Sequence, residues 1–297
     1  MSYLVDLVLA KVAELGEPEA AKFFGVSERL VGQWARQTKP VSLAAVEKVF
    51  SPTAIAGPET HREASWQGRS VCWMFPFYKT TNPRTFFSIL RMHDPAKFGG
   101  LLVHSDAFIA HARNKLATQF LETGCEWSIW VDDDIVPPSG NAEWFRRQTA
   151  LPIPPTFAGV HGVNRLISHG KTLVGGAYVG RQPDGKLMFD AGADHDTLLS
   201  QLSRAPVDQV RAVNWVATGF LLVHRSVYLD IQAKFPELAP KTSTGFWRFF
   251  DSDATGSGED ISFCRRAAAA GHQPHVDLGC VCAHLGDIAY GPSNVSP

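Results

Sequence analysis

The chain has 297 residues, 45% of them hydrophobic and 19% charged, with a formal net charge of −1. That is room for one large domain with a small companion, and the balanced charge excludes bulk electrostatic attraction to nucleic acid or membrane. The five cysteines (Cys72, Cys125, Cys264, Cys280 and Cys282) are odd in number and lack Cys-x-x-Cys spacing, which argues against a disulfide framework and a zinc knuckle. No apolar run approaches the roughly 20 residues of a membrane span, and the N-terminus lacks a basic-then-apolar signal pattern. The expectation is a soluble cytoplasmic protein without a membrane partner.

In chain order, Tyr3 to Leu15 carries a broad apolar face at helical spacing. Pro18 suits a helix first turn, Gly25 a tight turn, and Ser27 the N-cap of a helix over Glu28 to Gln37. A further helix is expected over Ser42 to Phe50. With Ala21 at a small helix contact and Phe24, Val26, Val31 and Trp34 at buried positions, residues 1–50 resemble the helix-turn-helix of phage repressor and Cro-like proteins. That resemblance makes Ser27, Arg29, Gln33 and Arg36 the candidates for DNA contact. Six basic residues (Lys11, Lys22, Arg29, Arg36, Lys39 and Lys48) are matched by six acids (Asp6, Glu14, Glu17, Glu19, Glu28 and Glu47). The nonspecific phosphate attraction should therefore be weak. The plainer alternative is a helical module used in assembly, with a homo-oligomer as its product.

Residues 51–68 mix Pro, Gly and polar residues without periodicity and read as a linker. From residue 69 to 297 strand and helix signals alternate, the pattern of an α/β domain. Val71 to Phe75 is an apolar strand running into Pro76 and Phe77, and Asn82-Pro83 opens a helix through Arg91. Leu101 to His104 reads as a strand and Ala107 to Glu122 as a helix. Ser128 to Val131 is a buried strand ending in Asp132, Asp133 and Asp134. Strand alternation would let Asp132 and Asp134 converge while Asp133 turns away. Such carboxylates suit a hard divalent cation, although an acidic turn after a strand is equally ordinary. Val216 to Val223 is strand-like with Thr218-Gly219 interrupting it, and Glu259-Asp260 open a helix to Ala270.

Taken together, VCWMFPFY, AHARNKLA, WVDDDIVPP, VATGFLLVHR, GEDISFCRRAAAAGH and VCAHLG resemble the GT-A fold glycosyltransferases, in the style of family 2 enzymes and their phage-encoded relatives. The resemblance covers about residues 70–290 and implies a Rossmann-like mixed sheet. It also implies a nucleotide-sugar donor, here expected to be a UDP-sugar, held with Mn²⁺ or Mg²⁺. By that resemblance Pro76, Phe77, Arg113, Asn114, Asp132, Asp133, Thr218 and Gly219 would bind the donor. Asp132, Asp134 and His284 would hold the metal, and the choice between Asp132 and Asp133 as the partner of Asp134 stays open. An imidazole beside two carboxylates fits Mn²⁺ better than Mg²⁺. Asp260 would be the general base of an inverting transfer, with Glu259 orienting the acceptor or the loop.

The helix-turn-helix beside a soluble transferase points to a nucleic-acid acceptor, such as a hydroxymethylated pyrimidine in phage DNA, flipped out of the duplex. Transfer to protein, glycan or a small molecule is the second reading. A DNA-binding regulator with a sugar-nucleotide-sensing domain is the third.

Overall fold

The computed structural model describes residues 12, 16–24, 27–35, 71–78, 81–93, 98–151, 153–181, 186–204, 206–242, 245–286 and 289–291. The chain divides into two compact units, Met1–Gln67 and Gly68–Pro297. In the first, α1 (Glu17–Phe24) packs on α2 (Glu28–Ala35), burying Ala20, Ala21 and Val31. Pro18 lies in the first turn of α1 and Ser27 directly precedes α2, as their backbone preferences require. Ser27 and Arg29 are exposed and Gln33 is half-buried. Arg36, Gly25, most of the helix expected over Tyr3 to Leu15, the helix expected over Ser42 to Phe50 and the linker at 51–68 lie outside the described residues.

The second unit is a mixed α/β domain. Its strands are β1 (Val71–Phe77), β2 (Phe98–Ser105), β3 (Trp127–Val131), β4 (Ile135–Val136), β5 (Leu173–Ala177), β6 (Val210–Ala212), β7 (Phe220–His224), β8 (His275–Val281), β9 (Ala283–Leu285) and β10 (Ala289–Tyr290). Seven of them form a sheet in the order β2-β1-β3-β7-β5-β8-β6. β1, β2, β3, β5 and β8 run one way, while β7 and β6 are reversed. A second, antiparallel sheet has the order β10-β9-β4.

Apolar runs without polar alternation mark strands covered on both faces, and the packing follows. Cys72, Met74, Trp130, Leu221 and Val223 enter one core layer with Leu116 and Phe120 of α4 (Ile109–Glu122). Val71, Trp73, Phe75, Ile129, Val131 and Leu222 enter the other, with Ile89 and Met92 of α3 (Pro83–Met92). Pro83 opens α3, and the Asn82 side chain accepts a hydrogen bond from Arg84 N at 3.0 Å. Pro76 is tolerated inside a central strand because β1 pairs with β3 only as far as Met74. Among the described residues no helix is long and apolar enough to cross a membrane.

The strand that leads into the aspartates is fastened from one face. Trp130 Nε1 donates to Tyr228 Oη at 2.8 Å, and Ser128 Oγ lies 2.9 Å from the same hydroxyl. Tyr228 sits on α9 (Arg225–Lys234) and is fully buried, as are Trp130 and Ser128. Tyr228→Phe keeps the packing but leaves the indole N–H without an acceptor. The expected cost is about 1–3 kcal/mol, read as a lower urea midpoint with an unchanged m-value.

Candidate active site

β3 stops at Val131, and the next three residues form a turn in which Ile135 N donates to Asp132 O at 3.1 Å. Strand alternation therefore does not govern the aspartates, and Asp132 and Asp134 turn to different partners. The Asp132 carboxylate takes both of its oxygens to Arg113 Nη2, at 2.9 Å each. Asp133 Oδ2 accepts from Tyr78 N at 3.4 Å. Asp134 Oδ2 meets Arg181 Nη1 at 3.0 Å and His284 Nε2 at 3.4 Å.

The turn also moves the chain from one sheet to the other. β4 pairs with β9 so that Ile135 lies opposite His284, and Leu285 N donates to Asp134 O at 2.7 Å. This short pairing is what delivers the C-terminal histidine to Asp134. His284 Nδ1 lies 2.9 Å from Val179 O. A carbonyl can only accept, so Nδ1 carries the proton and Nε2 faces Asp134.

Arg113 is the centre of the arrangement. It lies on α4, only 2% exposed, and its Nη1 reaches Glu259 Oε1 at 3.0 Å and Asp260 Oδ1 at 2.6 Å. Glu259 and Asp260 form the first turn of α10 (Glu259–Ala269). Neither is spent on capping that helix, since both turn to Arg113 and Thr218 Oγ1 also donates to Asp260 Oδ1. Burial works against the guanidinium charge, but Asp132, Asp260 and Glu259 outweigh it and hold its pKa above the usual arginine value. Arg113 Nε is buried without a hydrogen-bond partner among the described residues.

Asn114 occupies a different position. Its Nδ2 donates to Asp251 Oδ1 at 2.7 Å and its Oδ1 accepts from Phe250 N at 2.7 Å, so both ends of the amide hold the segment leading to α10. Pro76 and Phe77 end β1, beside the carboxyl end of β3, the usual ligand side of such a sheet. Gly219 N donates to the buried Tyr178 hydroxyl at 3.0 Å, and a Cβ on Gly219 would fall 2.3 Å from that oxygen. The glycine is needed for close approach, and the group that approaches is Tyr178.

Sequence reasoning missed Tyr178 and Arg181, which follow β5 within Gly175-Gly176-Ala177-Tyr178-Val179-Gly180-Arg181. The glycine pair was the available signal, because Cβ atoms there would meet Val216, Cys280 O and Cys282 within 2.9 Å. It also missed a cluster at the end of β2. His104, Asp106 and His111 offer three ligand atoms within 4.8 Å of one another. Asp132, Asp134 and His284 are not brought together as such a trio, and within it Asp134 and His284 meet at 3.4 Å.

No protein-family model matches the chain. No curated protein matches it either. Among solved structures it is similar to "Crystal Structure of A197 from STIV", with 15% identity and a TM-score of 0.46 over 76% of this chain and 91% of that one.

The five carboxylates gathered here (Asp132, Asp133, Asp134, Glu259 and Asp260) face two guanidinium groups, Arg113 and Arg181. Asp133 registers the excess. Burial first, then Asp134 and Asp132, push its pKa up to about 6 against a weaker pull from Tyr78 N and Arg181. His284 and Arg181 reverse the burial effect on Asp134 and hold it below the ordinary carboxylate value. A raised folded-state pKa means that Asp133 leaves stability untouched below about pH 4 and lowers it as pH rises through 6. Asp133→Asn keeps an acceptor for Tyr78 N and removes the charge. In metal-free buffer its gain in unfolding free energy over the wild type should grow between pH 4.5 and 7.5 to on the order of 1 kcal/mol. A gain independent of pH would show that the charge is not the cause.

Proposed function

We propose that the second unit is a metal-assisted glycosyltransferase that moves a sugar from a nucleotide-sugar, a UDP-sugar in the first instance, to an acceptor hydroxyl. One observation carries this reading. Arg113, Asp132, Thr218 and the Glu259-Asp260 pair come from separate blocks of the glycosyltransferase resemblance and meet in one hydrogen-bonded cluster.

The residues fit a divalent cation through Asp134 and His284. With Nδ1 committed to Val179, Nε2 turns toward a carboxylate oxygen of Asp134 3.4 Å away, which places an imidazole nitrogen and a carboxylate oxygen where a cation could be shared between them. The surplus of carboxylates over guanidinium groups supports the same assignment. Manganese suits the mixed nitrogen and oxygen ligands, with magnesium as the alternative. Once bound, the cation would neutralise the diphosphate leaving group. Arg181, half exposed on Asp134, is placed to exchange that partner for a phosphate oxygen.

Asp260 is the proposed base. Arg113 and Thr218 both hold Oδ1, which fixes the carboxylate and leaves Oδ2 without a protein partner among the described residues. Oδ2 takes the proton of the acceptor hydroxyl as that oxygen attacks the anomeric carbon from the side opposite the diphosphate, inverting the configuration. Asp260→Asn should preserve donor affinity and lower turnover by roughly 10² or more. Asp134→Ala or a chelator should abolish turnover and metal-dependent nucleotide binding together. Full turnover in chelator, or a product with retained anomeric configuration, overturns the respective assignment.

For the acceptor we propose duplex DNA carrying 5-hydroxymethyl pyrimidines. The support is the pair α1 and α2, with Ser27 and Arg29 exposed on the second helix or just before it. Removing residues 1–50 should leave donor hydrolysis and transfer to a free nucleoside intact while lowering transfer to long duplex DNA. Arg29→Ala should weaken DNA binding and reduce its salt slope by about 1. Unchanged DNA affinity after the deletion would instead favour a protein, glycan or small-molecule acceptor.

A further inference from the structure

The end of β2 and the start of α4 carry a second cluster that the proposed transfer does not use. His104 lies on β2, Asp106 just beyond it, and His111 in the first turn of α4. His111 Nδ1 hydrogen-bonds Asp106 Oδ2, and His104 Nε2 lies 3.8 Å from the same oxygen. The other oxygen, Oδ1, accepts from Phe108 N at 3.0 Å, so the carboxylate is oriented by backbone and presents Oδ2 to both imidazoles. The His111 ring stands edge-on to Phe246, 4.6 Å between centroids, which holds its plane.

We propose that His104, Asp106 and His111 form a binding site for a divalent transition metal of the zinc class, separate from Asp134 and His284. Two imidazoles and one carboxylate are the ligand set that suits zinc, cobalt or non-haem iron rather than magnesium or calcium. Metal–ligand bonds of about 2.0–2.2 Å put tetrahedral ligands roughly 3.4 Å apart, so atoms within 4.8 Å need only side-chain rotation to close on an ion. His111 is half exposed, and His104 and Asp106 about one-fifth exposed, so an ion could enter from solvent and keep an open coordination position. Lys115, one turn along α4 from His111, is a neighbouring positive charge acting on His104 and works against the site. The site would tie the N-terminus of α4 to β2. On that helix His111 and Arg113 are two residues apart and face opposite ways, one to solvent and one into the carboxylate cluster.

The test is cobalt binding by the chelator-stripped full chain, followed by visible d–d absorption and by competition with zinc. The wild type should show a tetrahedral or five-coordinate Co²⁺ spectrum that zinc displaces, whatever further Co²⁺ is held by Asp134 and His284. His111→Ala, at an exposed position and checked by circular dichroism, should weaken binding beyond the roughly 10- to 100-fold typical of losing an outer-shell partner. His104→Ala should do the same, and Asp134→Ala and His284→Ala should leave the spectrum in place. Absence of a cobalt spectrum in the wild type overturns the proposal. A spectrum lost in Asp134→Ala but kept in His111→Ala also overturns it, and assigns the metal to the other site.

Discussion

A guanidinium only 2% exposed depends on what surrounds it, and Arg113 sets the terms for the second unit. A buried charge without partners costs several kcal/mol, so the residue is tolerable only if carboxylates reach it. They come from the turn after β3 and from the start of α10, and four hydrogen bonds from Nη1 and Nη2 use the fork that arginine alone provides. The cluster thereby couples α4, β3 and α10. Asn114, the next residue on α4, adds a second tie to the segment before α10 by holding Phe250 N and Asp251.

The second constraint is where β3 ends. Its last pairing, Val131 with Phe220, is followed by a backbone bond from Asp132 N to Gly219 O, and then the chain turns out of the main sheet. Three successive carboxylates are sent in three directions by that turn. Asp132 closes on the buried arginine, Asp133 caps the end of β1, and Asp134 enters the small sheet beside His284. Like charges on adjacent residues repel, and dividing them among different partners limits that repulsion. At Asp133, held by a single backbone N–H, burial first and the neighbouring carboxylates second raise the pKa.

Tyr178 shows how a small residue and a large one specify each other across the sheet. Its hydroxyl takes the Gly219 amide, and any side chain at 219 would occupy the space of that oxygen. Its ring also meets His284 edge-on at 5.6 Å between centroids. One buried aromatic side chain therefore touches both the interrupted strand start at Thr218-Gly219 and the histidine delivered by β9. Burial, with Asp132 and Asp260 adding to it, keeps the phenol protonated by raising its pKa well above the ordinary value.

Local chemistry in the sequence was enough to locate β1, β3, α3, α4 and α10 within a few residues. Buried apolar runs, an Asn-Pro helix start and an acidic helix first turn each act over short spans of chain. Of these elements, α4 and α10 hold Arg113 and Asp260, so two of the blocks that meet in the cluster were legible one by one. The stretch from Ser139 to Trp215 was not read, because its short helices and the glycine-containing strand β5 depend on distant residues rather than on any local periodicity. Tyr178 and Arg181 were lost with it. The direction taken by each aspartate was likewise decided only by tertiary structure, since it follows from a strand ending at Val131 and a two-residue pairing with β9. The cluster of His104, Asp106 and His111 has a similar origin. Its residues are near in sequence, but a strand end and a helix start had to be joined before their three ligand atoms could lie within 4.8 Å of one another.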